Sequence, residues 1–64
     1  MDTMEKLRQL KEDGKITTRQ FNTYKGQVIR DDEIGCIKGL NKKHLISDEE
    51  ADALILEYKL AYTE

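Results

Sequence analysis

The chain carries one pattern twice, thirty residues apart. Leu7, Leu10, Ile16, Thr17 and Phe21 return as Ile37, Leu40, Ile46, Ser47 and Ala51. Each copy reads as a short helical run, a break, an Ile followed by Thr or Ser, and a second helical run. Apolar residues recur at helical spacing throughout: Met4, Leu7 and Leu10; Phe21, Tyr24 and Val28; Ile34, Ile37 and Leu40. A stripe one face wide, repeated on consecutive short helices, gives hairpins that pack on each other. The expected fold is therefore all-α, two short helical hairpins (about four helices) packed as a small bundle. Residues 1–64 form one domain, with the first hairpin at 3–30 and the second at 33–62.

Local signals mark the helix ends. Asp2 with Glu5, Thr17 with Gln20 and Ser47 with Glu50 fit capping boxes, in which a short acceptor caps an orphan N–H and a longer side chain reaches back. Asp48, Glu49 and Glu50 lie in a first turn, where the helix dipole favours negative charge. That placement accounts for the acidic cluster as a helix start; the alternating carboxylates and glycine of an EF-hand are absent. Gly14 suits the left-handed residue that closes a helix, and His44 stands at the same point of the second copy. Ile16 and Ile46 precede helices, where a hydrophobic staple packs. These signals place helices at about 3–13, 18–30, 33–43 and 48–62. The junction between the second and third stays open: Asp31 or Asp32 could cap the third helix, or the chain could run through as one. Gly35 and Gly39 each cost the third helix about 1 kcal/mol relative to Ala, and their spacing permits close helix approach.

So short a chain buries little of its surface and leans on a disulfide, a metal or another chain. Cys36 is the only cysteine, which excludes an internal disulfide, and one Cys with one His makes a structural zinc site a poor expectation. Cys36 and His44 are about two helical turns apart, too far for a nucleophile–base pair. No Gly-rich phosphate loop appears, so no enzyme and no cofactor is expected. No run of about eighteen apolar residues and no basic-then-apolar leader is present, so neither membrane nor secretion is expected. A lone cysteine then fits a reducing cytoplasm. Association with another protein chain, a homo-oligomer above all, is the remaining aid to stability.

The stretch Leu7-x-x-Leu10-x-x-x-Gly14-x-Ile16-Thr17-x-x-x-Phe21-x-x-x-Lys25-x-x-Val28-Ile29 resembles the SHOCT (short C-terminal) domain. The spacing agrees without a gap over 7–29, and more loosely over 37–58, where Ile46-Ser47-Asp48-Glu49-Glu50 keeps the helix start. The family has acidic residues after the Thr, whereas this chain has Thr18, Arg19 and Gln20. Such domains are usually small appendages to larger proteins; here two copies fill the chain. The resemblance implies a helical oligomerisation or interaction role in a bacterial or phage setting, sometimes with nucleic-acid binding, and brings no catalytic residues.

Two surfaces stand out. On a wheel of about 100° per residue, Ala51, Leu54, Ile55, Tyr58 and Tyr62 share one face of the last helix. Ala53, Leu56 and Leu60 share the opposite one. A helix apolar on both sides is either central in the fold or paired across an interface. With so little chain to cover both sides, an interface through Ala53, Leu56 and Leu60 is the expectation. The second surface is on the second helix, where Arg19, Asn22, Thr23 and Arg30, with Gly26, lie opposite Phe21, Tyr24 and Val28. Arg and Asn are types that read base edges, and the first hairpin would then act as a crude helix-turn-helix. Charge argues both ways: residues 1–30 carry +3 and residues 31–64 carry −5. A basic half suits an anionic partner, yet DNA binders usually carry more cationic charge and no acidic remainder. Nucleic acid is therefore the alternative partner and protein the expected one.

Overall fold

The computed structural model describes residues 2–62. It has four helices: α1 (Thr3–Glu12), α2 (Thr18–Ile29), α3 (Glu33–Lys42) and α4 (Asp48–Ala61). Each packs on its neighbour in sequence, whereas α1 and α4 do not pack along their lengths. The bundle is all-α among the described residues, as the periodicity requires, and the bounds agree with the expected ones to within a residue.

Two of the three expected capping boxes, at Thr17 and Ser47, form in full; at Asp2 only the half that caps the Glu5 N–H does. Thr17 Oγ1 accepts from the Gln20 N–H while the Gln20 side chain accepts from the Thr17 N–H, and Ser47 and Glu50 repeat the arrangement. At α1 the Asp2 carboxylate accepts from the Glu5 N–H at 2.8 Å. Each reciprocal box satisfies two donors that a helix start otherwise leaves to water.

Three helix ends share one geometry. Gly14 (φ 74°), Asp31 (φ 62°) and His44 (φ 60°) are left-handed. Behind them the Lys15, Asp32 and Leu45 N–H groups donate to the Leu10, Gln27 and Leu40 carbonyls at 2.8–2.9 Å. This is the Schellman closure. It settles the open junction: α2 and α3 are two helices, separated by a left-handed turn at Asp31. Asp32 is the N-cap of α3 but makes no side-chain cap bond. Its carboxylate accepts from Gln27 Nε2 at 3.2 Å and lies over Gly35, where a Cβ would collide with it. Gly35 therefore makes room for Asp32 and not for another helix. Gly39 does serve packing, since a Cβ there would sit 3.7 Å from the Tyr24 ring.

The core draws on both copies, and more on the second. Leu7, Leu10 and Ile16 from the first hairpin meet Ile37, Leu40 and Ile46 from the second, with Tyr24, Cys36, Ala51 and Leu54 completing it. The staple positions Ile16 and Ile46 are buried as expected, while Met4, Phe21, Val28, Leu45 and Ile55 pack around the margin. Polar links also join the hairpins. Thr3, 1 % exposed, donates from Oγ1 to Glu33 Oε2 at 2.8 Å. Lys6 Nζ meets Glu50 Oε2 at 2.6 Å, tying α1 to the first turn of α4.

Candidate functional site

Helix α4 has the split character that its sequence indicates. Ala51 and Leu54 are buried, and Ile55 and Tyr58 half-buried, on the core side. On the other side Ala53 is exposed, with Leu56 57 % and Leu60 67 % exposed. Residues three and four apart stack on one helical face, so these three form a continuous outward stripe. Tyr62 departs from its expected place among the inner residues: it is 72 % exposed. The cause is that α4 outruns the core. Its last buried residue is Leu54, and Tyr62 is already the C-cap. The Tyr62 ring rests against Tyr58 instead, centroids 4.7 Å apart.

Because α1 and α4 do not pack along their lengths, a groove of about 670 Å³ runs between the first turns of α1 and the C-terminal half of α4. Met4, Leu54, Tyr58 and Leu60 supply its apolar lining, and Asp2, Glu5, Glu33 and Glu57 its charge. No Lys or Arg among the described residues lines it. It ends toward the Lys6–Glu50 pair, beside a smaller hollow flanked by Ala53 and Leu54. Sequence reading does not find this groove, since periodicity reports which face of a helix is buried and not which helices fail to meet. The one available signal is the acidic helix starts at residues 2–5 and 33.

On α2 the four candidate nucleic-acid residues, Arg19, Asn22, Thr23 and Arg30, are all exposed. Two of them are engaged within the helix. Thr23 Oγ1 donates to the Arg19 carbonyl at 3.1 Å, and the Arg30 guanidinium folds back over Gly26. Thr23 thus spends its hydroxyl proton on its own backbone, and Arg30 would have to swing out to reach a phosphate. Arg19 and Asn22 keep the outward positions. On the other side of this helix Lys11 of α1 lies with its Nζ 5.0 Å above the Phe21 ring centroid.

The remaining reactive groups are placed structurally. Cys36 is buried, and burial, with help from Glu33 and Asp32, pushes its thiol up to about 11. A thiol held neutral at physiological pH is a poor nucleophile. His44 is the exposed left-handed residue that ends α3, and Cys36 lies inside that helix. Asp48 accepts from Asn41 Nδ2 at 2.7 Å, and Glu50 serves the Ser47 cap and Lys6, so the acidic start of α4 is tied into the α3–α4 turn. Lys6 also holds the Glu50 carboxyl below its ordinary range, chiefly through the hydrogen bond. Among the described residues no group of three His, Cys, Asp or Glu side chains is placed to hold a metal ion, and no helix is long and apolar enough to cross a membrane.

Comparison with protein-family models, with curated proteins and with solved structures finds no match to the chain.

Proposed function

We propose that this protein is a cytoplasmic, non-enzymatic interaction module of the SHOCT type, from a bacterial or phage setting, that acts by self-association through α4. The observation that carries it is the exposed stripe of Ala53, Leu56 and Leu60. Its three-then-four spacing is that of a coiled-coil seam, which wants a second helix. In an antiparallel pair of copies the helix dipoles oppose. Ala53 then faces the second copy's Leu60, small against large. Such a seam also adds the apolar burial that a chain of 64 residues lacks. Sedimentation equilibrium tests it: the wild type forms dimers that dissociate on dilution, and Leu56→Lys is monomeric with its helical circular dichroism intact. A wild type that stays monomeric at high protein concentration would sink the proposal.

The alternative, a small DNA-binding regulator acting through α2, is supported by one observation. Arg19, Asn22, Thr23 and Arg30 share an exposed face of a helix that contains no acidic residue. Binding to mixed-sequence duplex DNA would fall steeply with salt and weaken in Arg19→Ala and Arg30→Ala. No binding at low salt removes this alternative.

A further inference from the structure

The junctions between the helices are not built alike. Five residues join α1 to α2 (13–17) and five join α3 to α4 (43–47), and each of these turns ends in a reciprocal cap. The α3–α4 turn is pinned further by Asn41, whose Nδ2 donates to the Ile46 carbonyl at 3.3 Å and to Asp48 at 2.7 Å. Only three residues, 30–32, join α2 to α3. Asp31 is left-handed there, at φ 62°, a conformation in which a Cβ carries a cost that glycine avoids. The helix that follows starts without a side-chain cap bond. Across the bend the Asp32 N–H donates to the Gln27 carbonyl at 2.8 Å, and Gln27 Nε2 to the Asp32 carboxylate at 3.2 Å.

The same residues could also continue as a helix. From Gln27 to Ile34 there is no Gly and no Pro, and a right-handed Asp31 is free of the left-handed cost. Straightening the bend would join α2 and α3 into one helix over 18–42 and draw the two hairpins apart. A second straightened copy would restore the contacts between hairpins. Its Gly39 would meet the first copy's Tyr24, and its Ile37, Leu40 and Ile46 would meet Leu7, Leu10 and Ile16. Two bent monomers and one exchanged dimer then differ chiefly at the junction. A short hinge under strain is the setting that invites such exchange.

We infer that the α2–α3 junction is a hinge through which two copies of the chain exchange hairpins. The exchanged dimer is joined through the core and leaves the outward stripe of Ala53, Leu56 and Leu60 unused. It is therefore a second mode of association, independent of the first. The two modes also differ in kinetics. A stripe dimer dissociates on dilution, whereas exchange requires the hairpins to part, so an exchanged dimer forms as the chain refolds at high concentration and persists when diluted.

The test is made in Leu56→Lys, which removes the stripe, with Asp31→Ala or Asp31→Gly added. Both substitutions remove the Asp31 carboxylate, so the difference between them reads the backbone alone. Alanine favours the straight helix and glycine the left-handed bend. With two junctions per dimer, the alanine chain should dimerise about tenfold or more tightly than the glycine chain. Each is unfolded in urea, refolded concentrated, diluted, and sized by sedimentation velocity. Refolding labelled with unlabelled chain then places the Tyr24–Gly39 contact, by isotope-filtered NMR, between two chains. Gly35→Ala acts in the same direction as Asp31→Ala, since a Cβ there collides with the Asp32 carboxylate in the bent form, and it replaces that variant if Asp31→Ala folds poorly. Equal dimerisation of the alanine and glycine chains, or none in either, would overturn the inference. So would dimers that fall apart at once on dilution, or that keep the Tyr24–Gly39 contact within one chain. None of these outcomes bears on the stripe, which is tested with residue 31 unchanged.

Discussion

The outward faces of α2 and α4 are the same face of the repeat, written in opposite chemistry. Arg19, Asn22, Thr23, Gly26 and Arg30 correspond, thirty residues on, to Glu49, Asp52, Ala53, Leu56 and Leu60. One is cationic and hydrogen-bonding; the other is acidic at its start and apolar along its length. Beneath these faces the two copies are alike. Both second helices begin with a reciprocal cap, both turns close through a left-handed residue, and Leu7, Leu10 and Ile16 are buried as deeply as Ile37, Leu40 and Ile46. The residues that make the hairpin are thus kept, and those that meet the outside differ. Role and fold reside in different positions of one pattern, and α4 is where the apolar surplus lies.

The likeness of the two copies breaks most visibly if their cores are not one unit. Leu7 and Ile37 are equivalent positions, and neither is exposed to solvent. Leu7→Ala and Ile37→Ala should each cost about 2–5 kcal/mol, the usual range for such truncations in a packed core. A chain of this size has only about 3–10 kcal/mol to lose, at about 0.05–0.15 kcal/mol per residue. Both variants should therefore lose much of their stability, in a single urea transition of unchanged slope. Two transitions in either variant would show that the hairpins melt independently, and would turn the comparison into one between two domains.

The division between what is kept and what differs also decides what was legible in the sequence. Helix bounds, the caps at Thr17 and Ser47, the left-handed ends at Gly14 and His44, and the buried Ile16 and Ile46 are local features, each set by residues within a turn of one another. Sequence spacing reports such features directly. The exposed positions of Ala53, Leu56 and Leu60 followed from the same periodicity, because a helix cannot bury both sides in so small a fold. What remained hidden was long-range. Thr3 gives no sign that it is buried against Glu33, thirty residues away, and Lys6 none that it reaches Glu50. The left-handed turn at Asp31 is equally hard to read, as Asp is marked more strongly as a helix cap than as a helix end. Gly35 misled for a similar reason: glycine spacing says that room is made, but not that a neighbouring Asp32 fills it.

A smaller effect sharpens the comparison at the turns. Gly14 and His44 occupy the same left-handed position, yet only glycine adopts it without a Cβ penalty. Gly14→Ala should cost about 1–2 kcal/mol, the penalty of a left-handed conformation for an L-residue. His44→Gly should gain about 0.5–1 kcal/mol, the same relief less the extra entropy glycine has in the unfolded chain. Opposite signs at equivalent positions, read as midpoints of thermal or urea melts, are the expected result. A His44→Gly variant less stable than wild type would mean that the histidine side chain contributes a contact in the α3–α4 turn that the first turn lacks.

The smallest expected effect concerns the Lys6–Glu50 ion pair, which joins the copies. Lys6 is largely covered and Glu50 about half exposed, at 16 % and 47 % of side-chain surface, so water screens the pair from one side. Pairs of this kind contribute about 0.2–1 kcal/mol. Lys6→Met is the clean probe, because Glu50 must be kept for the Ser47 cap. The sign of the pH dependence follows from Glu50, whose carboxyl is held below its ordinary range by Lys6 first and the Ser47 backbone second. A carboxyl depressed in the folded state stabilises above its unfolded pKa, and that contribution is lost as the pH falls through the folded one. Wild type and Lys6→Met should therefore differ most near neutral pH and converge in acid. Added salt should narrow the gap at neutral pH, since the exposed half of the pair is open to screening. A gap that persists in acid and in salt would show that Lys6 acts through its aliphatic stem, packed between α1 and α4, and that charge does not hold the two copies together.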